Sequence, residues 1–132
     1  MTVKSFKILK NRIIKNKKGS IIKYINKSQL FEPIDVVVCD VSFISIRKFF
    51  IHIKSFLNSK FSIVSLIKPQ FEARREDIGR GGIVKDPKIH EKVCNEIEVW
   101  FLKNFNDVNI EICESIIKGQ KGNKEYFIFV SK

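Results

Sequence analysis

Apolar and polar positions follow two rhythms along this chain. In SIRKFFIHIKSFL, residues 45–57, the positions Ile46, Phe49, Phe50, Ile53 and Leu57 recur at helical spacing and predict an amphipathic helix. DPKIHEKVCNEIEVWFLKN, residues 86–104, predicts the clearest helix. Asp86 can cap it, Pro87 suits its first position, and Ile89, Val93, Ile97, Trp100 and Phe101 make one stripe. SFKILKNRIIKNKK, residues 5–18, sets Phe6, Leu9 and Ile13 on one helical face among lysines, and Gly19 supplies a stop. The other rhythm is that of strands. SIIKYI is a short strand candidate, and IDVVVCDVSF and FSIVSLIK hold β-branched runs of the kind buried in parallel sheets. NIEICESII and EYFIFVSK are separated only by KGQKGNK and predict an antiparallel hairpin. The order α-β-β-α-β-α-β-β indicates an α/β domain with a mostly parallel sheet.

In such sheets ligands gather beyond the carboxyl ends of the strands. Asp40 ends the first buried strand and Lys68 the second, so both are expected on one rim. Two bland roles compete with chemistry there: Asp40 as a turn cap and Lys68 as a solvated strand end. After Lys68 the chain runs PQFEARREDIGRGGIVKDP. Pro69 turns it off the strand, and Gly79, Gly81 and Gly82 permit tight backbone conformations. Arg74, Arg75, Arg80 and Lys85 offer cations, with Glu76 and Asp77 cancelling part of the field.

Composition adds a partner class. The 132 residues suit one domain, and the net charge of +11 favours nucleic acid, or less often an anionic membrane. Residues 1–31 hold nine Lys/Arg and no Asp/Glu. Heavy use of Lys, Ile, Asn and Phe together also fits an AT-rich genome, which offers a rival source for the charge. Cys39, Cys94 and Cys113 form no zinc pattern and read as buried reduced thiols in the cytoplasm. His52 and His90 have no ligand-like neighbours and read as ordinary surface or helix residues. No metal site is expected. No apolar run nears the roughly 20 residues that cross a bilayer, and no signal peptide is evident.

Three stretches, DVSFIS (40–45), IKPQFEARREDIGRGGIVKD (67–86) and GNKEY (122–126), carry a family resemblance. Together they resemble the TlyA-type haemolysin family of RNA 2'-O-ribose methyltransferases, whose catalytic domain is FtsJ-like. The resemblance covers about residues 30–132. It implies a Rossmann-like S-adenosylmethionine-dependent methyltransferase fold, N-terminally truncated, acting on ribosomal RNA. By motif, Asp40, Lys68 and Glu125 match the aspartate, central lysine and glutamate of the family's catalytic set. Asp40, Val41 and Asn26 stand as its cofactor contacts, and Arg74, Arg75, Arg80 and Lys85 as RNA contacts. The chemistry suits these types. A ribose hydroxyl must lose its proton as the methyl arrives, and a lysine can take it when burial or a nearby cation favours the neutral amine.

The sequence also departs from that family. It shows no S4-like RNA-binding domain and no G-x-G turn after an early strand, and no N-terminal lysine can be assigned as the first of the set. ESIIKG stands where the family has Ser-Pro-Ile. The expectation is therefore a partial methyltransferase domain, inactive or incomplete alone. The strand at 36–41 is expected to lose a neighbour and expose an edge for self-association or a partner chain. A non-enzymatic RNA-associated remnant is the alternative. A membrane-active haemolysin is a weaker one, because no long cationic helix carries a separate lipid face.

Overall fold

The computed structural model describes residues 3–7 and 32–132. Five strands form one sheet: β1 (Val3–Lys7), β2 (Ile34–Val41), β3 (Leu57–Ile67), β4 (Asn109–Glu114) and β5 (Tyr126–Ser131), in the spatial order β1-β2-β3-β5-β4. Among the described residues three α-helices intervene: α1 (Ile46–Ile53), α2 (Pro69–Glu72) and α3 (Pro87–Asn104). The α/β architecture is as expected, and so is the antiparallel β4–β5 hairpin, with Glu114 opposite Tyr126. The sheet is mixed rather than mostly parallel. Only β2 and β3 run parallel, joined by the α1 crossover, while β1–β2 and β3–β5 are antiparallel.

Three expectations change here. Residues 5–7, expected to open a helix, lie in β1 and pair with β2 through Ser5↔Asp40, Phe6↔Cys39 and Lys7↔Val38. The ladder groups along β2 outweigh the local helical rhythm, because tertiary context overrides propensity. The same pairing covers the 38–41 part of the edge expected to be bare at 36–41. The rest of that expected helix, the SIIKYI strand and Asn26 lie outside the described residues. Leu57, expected on the helical stripe, instead opens β3. A single 3-10 turn over Lys54–Phe56 breaks the helical phase between them.

The core lies on one face of the sheet. Alternation sends Val37, Cys39 and Val41 of β2, Ile63 and Ile67 of β3, and Ile128 and Val130 of β5 inward. Against them pack Ile46, Phe49, Phe50 and Ile53 of α1 and Val93, Ile97 and Phe101 of α3. Phe101 is at the centre, with ring centroids 5.2 Å from Phe50 and 5.3 Å from Phe105. The opposite face carries half-buried Val36, Val38, Val64, Leu66 and Phe127 and exposed Phe129.

Both longer helices start as their sequences predict. The Ser45 hydroxyl accepts from the Arg47 amide, and the Asp86 carboxylate accepts from the Lys88 amide. The thiols divide: Cys39 is buried, Cys94 intermediate and Cys113 exposed, so the expectation of three buried thiols fails for Cys113. Among the described residues no helix is long and apolar enough to cross a membrane, and no His/Cys/Asp/Glu group could hold a metal.

Removing the Phe101 ring leaves a hole at the junction of α1, α3 and the sheet. Phe101→Ala should cost about 3–5 kcal/mol, read as a lower denaturation midpoint at unchanged slope. A loss within measurement error would place the centre of the core elsewhere.

Candidate functional site

β2 and β3 are parallel neighbours in register, with Cys39 opposite Ser65, so their carboxyl ends share a rim. Asp40 and Lys68 emerge there. Lys68 Nζ lies 2.5 Å from Asp40 Oδ1 and donates to Ser42 Oγ at 3.1 Å. The lysine side chain is only 11% exposed and the aspartate 48%, so the pair reaches from the sheet edge toward solvent. β5 runs antiparallel to β3 with Tyr126 opposite Ile67, which brings Glu125 to the same rim. The three residues singled out in the sequence thus come together at one end of the sheet.

Glu125 is buried and receives a long hydrogen bond of 3.4 Å from Gln70 Nε2. Gly119 packs directly on it. A Cβ built at Gly119 would stand 2.0 Å from Glu125 Oε1, so this glycine makes room for the carboxylate. Gln70 Oε1 is buried without a hydrogen-bond partner among the described residues.

Sequence reasoning missed a buried residue that ties the turn after β3 to the start of α1. Glu72 sits on α2, four residues after Lys68, with its side chain 2% exposed. Its carboxylate accepts from the Ser45 hydroxyl at 2.6 Å and from the Ile46 amide at 2.7 Å, and Arg47 stands 3.6 Å away. It thereby ties the turn after β3 to the start of α1, the helix that follows the Asp40 turn. Burial pushes the Glu72 carboxyl above its ordinary range, against the pull of Ser45, Ile46 and Arg47. The signal was present as the glutamate of KPQFE, four positions after the lysine.

Phe43 was also missed. It is 69% exposed, has a left-handed φ of 67°, and lies with its ring centroid 5.0 Å from that of Phe71. A left-handed backbone costs an L-residue roughly 1–2 kcal/mol, so this aromatic face is held outward at a cost. No periodicity marks such a position. His90, read as an ordinary surface or helix residue, is buried, with Nε2 2.8 Å from the Val84 carbonyl.

The glycine-bent loop is built as expected at Gly81 and Gly82, whose φ values of 81° and 78° suit glycine. It is also anchored. Asn123 accepts from the Val84 amide at 3.1 Å and donates to the Gly82 carbonyl at 3.0 Å, and Lys121 donates to the Gly81 carbonyl at 2.7 Å. Arg74, Arg75, Arg80 and Lys85 are all exposed. Glu76 pairs with Arg74 at 3.8 Å and Asp77 with Lys92 at 3.7 Å. Val41, expected at the cofactor, has its side chain in the core at 2% exposure, which leaves only its backbone for such a contact.

The family model of FtsJ-like methyltransferases matches residues 2–132. Hemolysin A of Brachyspira hyodysenteriae is 46% identical over 106 residues, covering 79% of this chain and 43% of that protein. The 23S rRNA (cytidine-2'-O)-methyltransferase TlyA of Campylobacter jejuni is 34% identical over 109 residues, covering 76% of this chain and 39% of that protein. A solved hemolysin structure from Streptococcus thermophilus superposes with a TM-score of 0.78 at 30% identity, over 86% of this chain and 41% of that one. The chain spans about two-fifths of the length of these relatives.

The raised carboxyl of Glu72 fixes a pH dependence. Its protonated form is favoured more in the folded state than in the unfolded one. The associated stability is present below the ordinary carboxylate range and is lost as pH rises through the folded value. The stability of the wild type relative to Glu72→Gln should therefore decline with rising pH over that window, as measured by thermal denaturation. Parallel profiles for the two proteins would show that Glu72 is not desolvated.

Proposed function

The chain belongs to the family of FtsJ-like methyltransferases, and from that membership we propose that it carries the methyl-transfer end of an enzyme that methylates ribose 2'-hydroxyls in ribosomal RNA. The observation that carries this reading is the Lys68–Asp40 pair at 2.5 Å on the shared rim of β2 and β3. A ribose hydroxyl is a poor nucleophile and needs a group positioned to receive its proton. Nζ of Lys68 has two of its tetrahedral directions taken, by Asp40 and Ser42. One direction remains, and it is open to the 2'-hydroxyl. Asp40 and Ser42 orient the nitrogen, and rigid strand ends supply the alignment that transfer requires. Glu125, held by Gln70 and Gly119, closes the third side of the rim.

S-adenosylmethionine, when bound, supplies an electrophilic methyl on a sulfonium centre. The residues present fit the cationic centre of such a donor. The Asp40 carboxylate has one oxygen on Lys68 and is half exposed, so it offers negative charge to a cationic ligand beside the lysine. The Val41 backbone adjoins it. The sequence has no G-x-G turn after an early strand to hold the donor's amino-acid moiety, and the isolated 132 residues are expected not to transfer methyl.

The exposed Phe43 face stands three residues beyond Asp40 and is suited to stack an unpaired base, as single-stranded RNA is commonly bound. Arg74, Arg75, Arg80 and Lys85 leave the same rim and are read as phosphate contacts.

The test replaces the matching 109 residues of the Campylobacter jejuni TlyA by those of this chain and follows labelled methyl into ribosomal RNA. Alkaline hydrolysis reads the position, because a methylated 2'-oxygen protects the adjacent phosphodiester. The chimera should give alkali-resistant product, and Lys68→Ala in the chimera should abolish it. Full activity of the Lys68→Ala chimera would remove the lysine from the mechanism.

A second expectation concerns RNA affinity. It should be mainly electrostatic, and Arg74→Ala, Arg75→Ala and Arg80→Ala combined should reduce the salt slope by about 2, at roughly 0.7 per contact on single strands. An unchanged slope would assign the loop to bulk solvent.

A further inference from the structure

A hollow of about 710 Å³ opens between the first turns of α3 and the β4–β5 hairpin. Of the residues named above as RNA contacts, Lys85 alone lines it. Its volume lies within the range of roughly 300–1,000 Å³ typical of ligand pockets. Buried Val84 and half-buried Ile83, Ile112 and Tyr126 give it an apolar floor. Lys85, Lys118, Lys121 and Lys124 line it against two acids, Glu91 and Glu114. Glu114 is already engaged by Lys124 at 3.0 Å, so the uncompensated charge at the mouth is positive.

We propose that this hollow seats a nucleotide of the RNA strand flanking the methylated ribose, with its base on the apolar floor against Tyr126 and its phosphate on Lys118 and Lys85. The inference rests on the reading of the chain as an RNA methyltransferase and adds a second contact point to it. Its location follows from two adjacent residues. Glu125 belongs to the rim, Tyr126 follows it and lines the hollow, and the turn from Lys118 to Lys124 borders both. A strand leaving the target ribose therefore reaches the hollow by following that turn.

The floor is held firm. The His90 ring lies 5.7 Å from the Tyr126 ring, and its Nε2 is fixed on the Val84 carbonyl. An aromatic face accepts any base, and lysines meet the phosphate without reading sequence, so this subsite should bind tightly and discriminate weakly. The charge favours RNA over an apolar partner, because the lysines would be stranded beneath a hydrophobic surface.

The experiment uses the 132-residue chain and a short single-stranded oligoribonucleotide of mixed sequence. Ultraviolet crosslinking and peptide mapping should place nucleotides on the peptides carrying Tyr126 or Cys94. Lys118→Ala, an exposed change, should reduce the salt slope of binding by roughly 0.7. Asn95→Trp puts bulk at the mouth from an exposed helix position, and should weaken binding at least about fivefold, the loss of one stacked base. Unchanged helical content by circular dichroism shows that both variants fold. RNA that binds with crosslinks confined elsewhere, and with both variants equal to wild type, overturns the hollow and leaves the methyltransferase reading intact. A mononucleotide that binds as tightly as the oligomer overturns it in favour of a small-molecule site. No RNA binding even at low salt sinks the subsite and the RNA reading together.

Discussion

A single buried carboxylate holds the candidate site in shape. Glu72 accepts hydrogen bonds from the Ser45 hydroxyl and the Ile46 amide, so it caps α1 from a different element. Asp40 lies before α1 and Lys68 before α2. The Lys68–Asp40 pair, the Lys68–Ser42 hydrogen bond and the Phe43–Phe71 contact also join the two turns, but a lysine side chain is long enough to tolerate several arrangements. With it, the turns are fixed to each other across 26 residues of sequence. The cost is desolvation of a carboxyl, visible in its raised proton affinity. Removing its partners would leave the charge buried and unpaired, which is worse than never burying it.

Much of this arrangement was legible in the sequence. The β-branched run from Ile34 and the apolar run ending at Ile67 could only be buried strands, and a charge at the end of each had to fall on the rim. Asp86-Pro87 announced α3, and the short spacer between the last two strands announced a hairpin. Local rules sufficed because these segments obey them. They failed where distant parts of the chain decide. Residues 5–7 are drawn into β1 by the unpaired ladder groups of β2, more than thirty positions away. His90 is buried beside Tyr126 of β5, and Glu72 is clasped by a helix that precedes it. The outward Phe43 depends on a single backbone angle, which no composition or rhythm encodes.

Anchoring explains how a glycine-bent loop can still present cations in a defined place. Gly81 and Gly82 buy the turn at a cost in chain entropy. Asn123, with three side-chain hydrogen bonds to Val84, Gly82 and Gln120, offsets that cost from the other end of the chain. The GNKEY stretch thus has two separate duties. Asn123 holds the loop that follows Lys68, and Glu125 faces the rim itself. Its neighbour Lys124 is spent on an exposed ion pair with Glu114, which at such a surface is worth little.

The strand order also has a consequence for biosynthesis. β5 is made after every other described element, yet it lies inside the sheet, between β3 and β4. While the nascent chain emerges from the ribosome, β3 presents an unpaired edge and β4 has no neighbour among the other described strands. Neither can be satisfied until β5 arrives and inserts between them. The sheet therefore closes late. Glu125, which leads into that strand, joins Asp40 and Lys68 at the last step of assembly, so partly made chains display the lysine and aspartate without the glutamate.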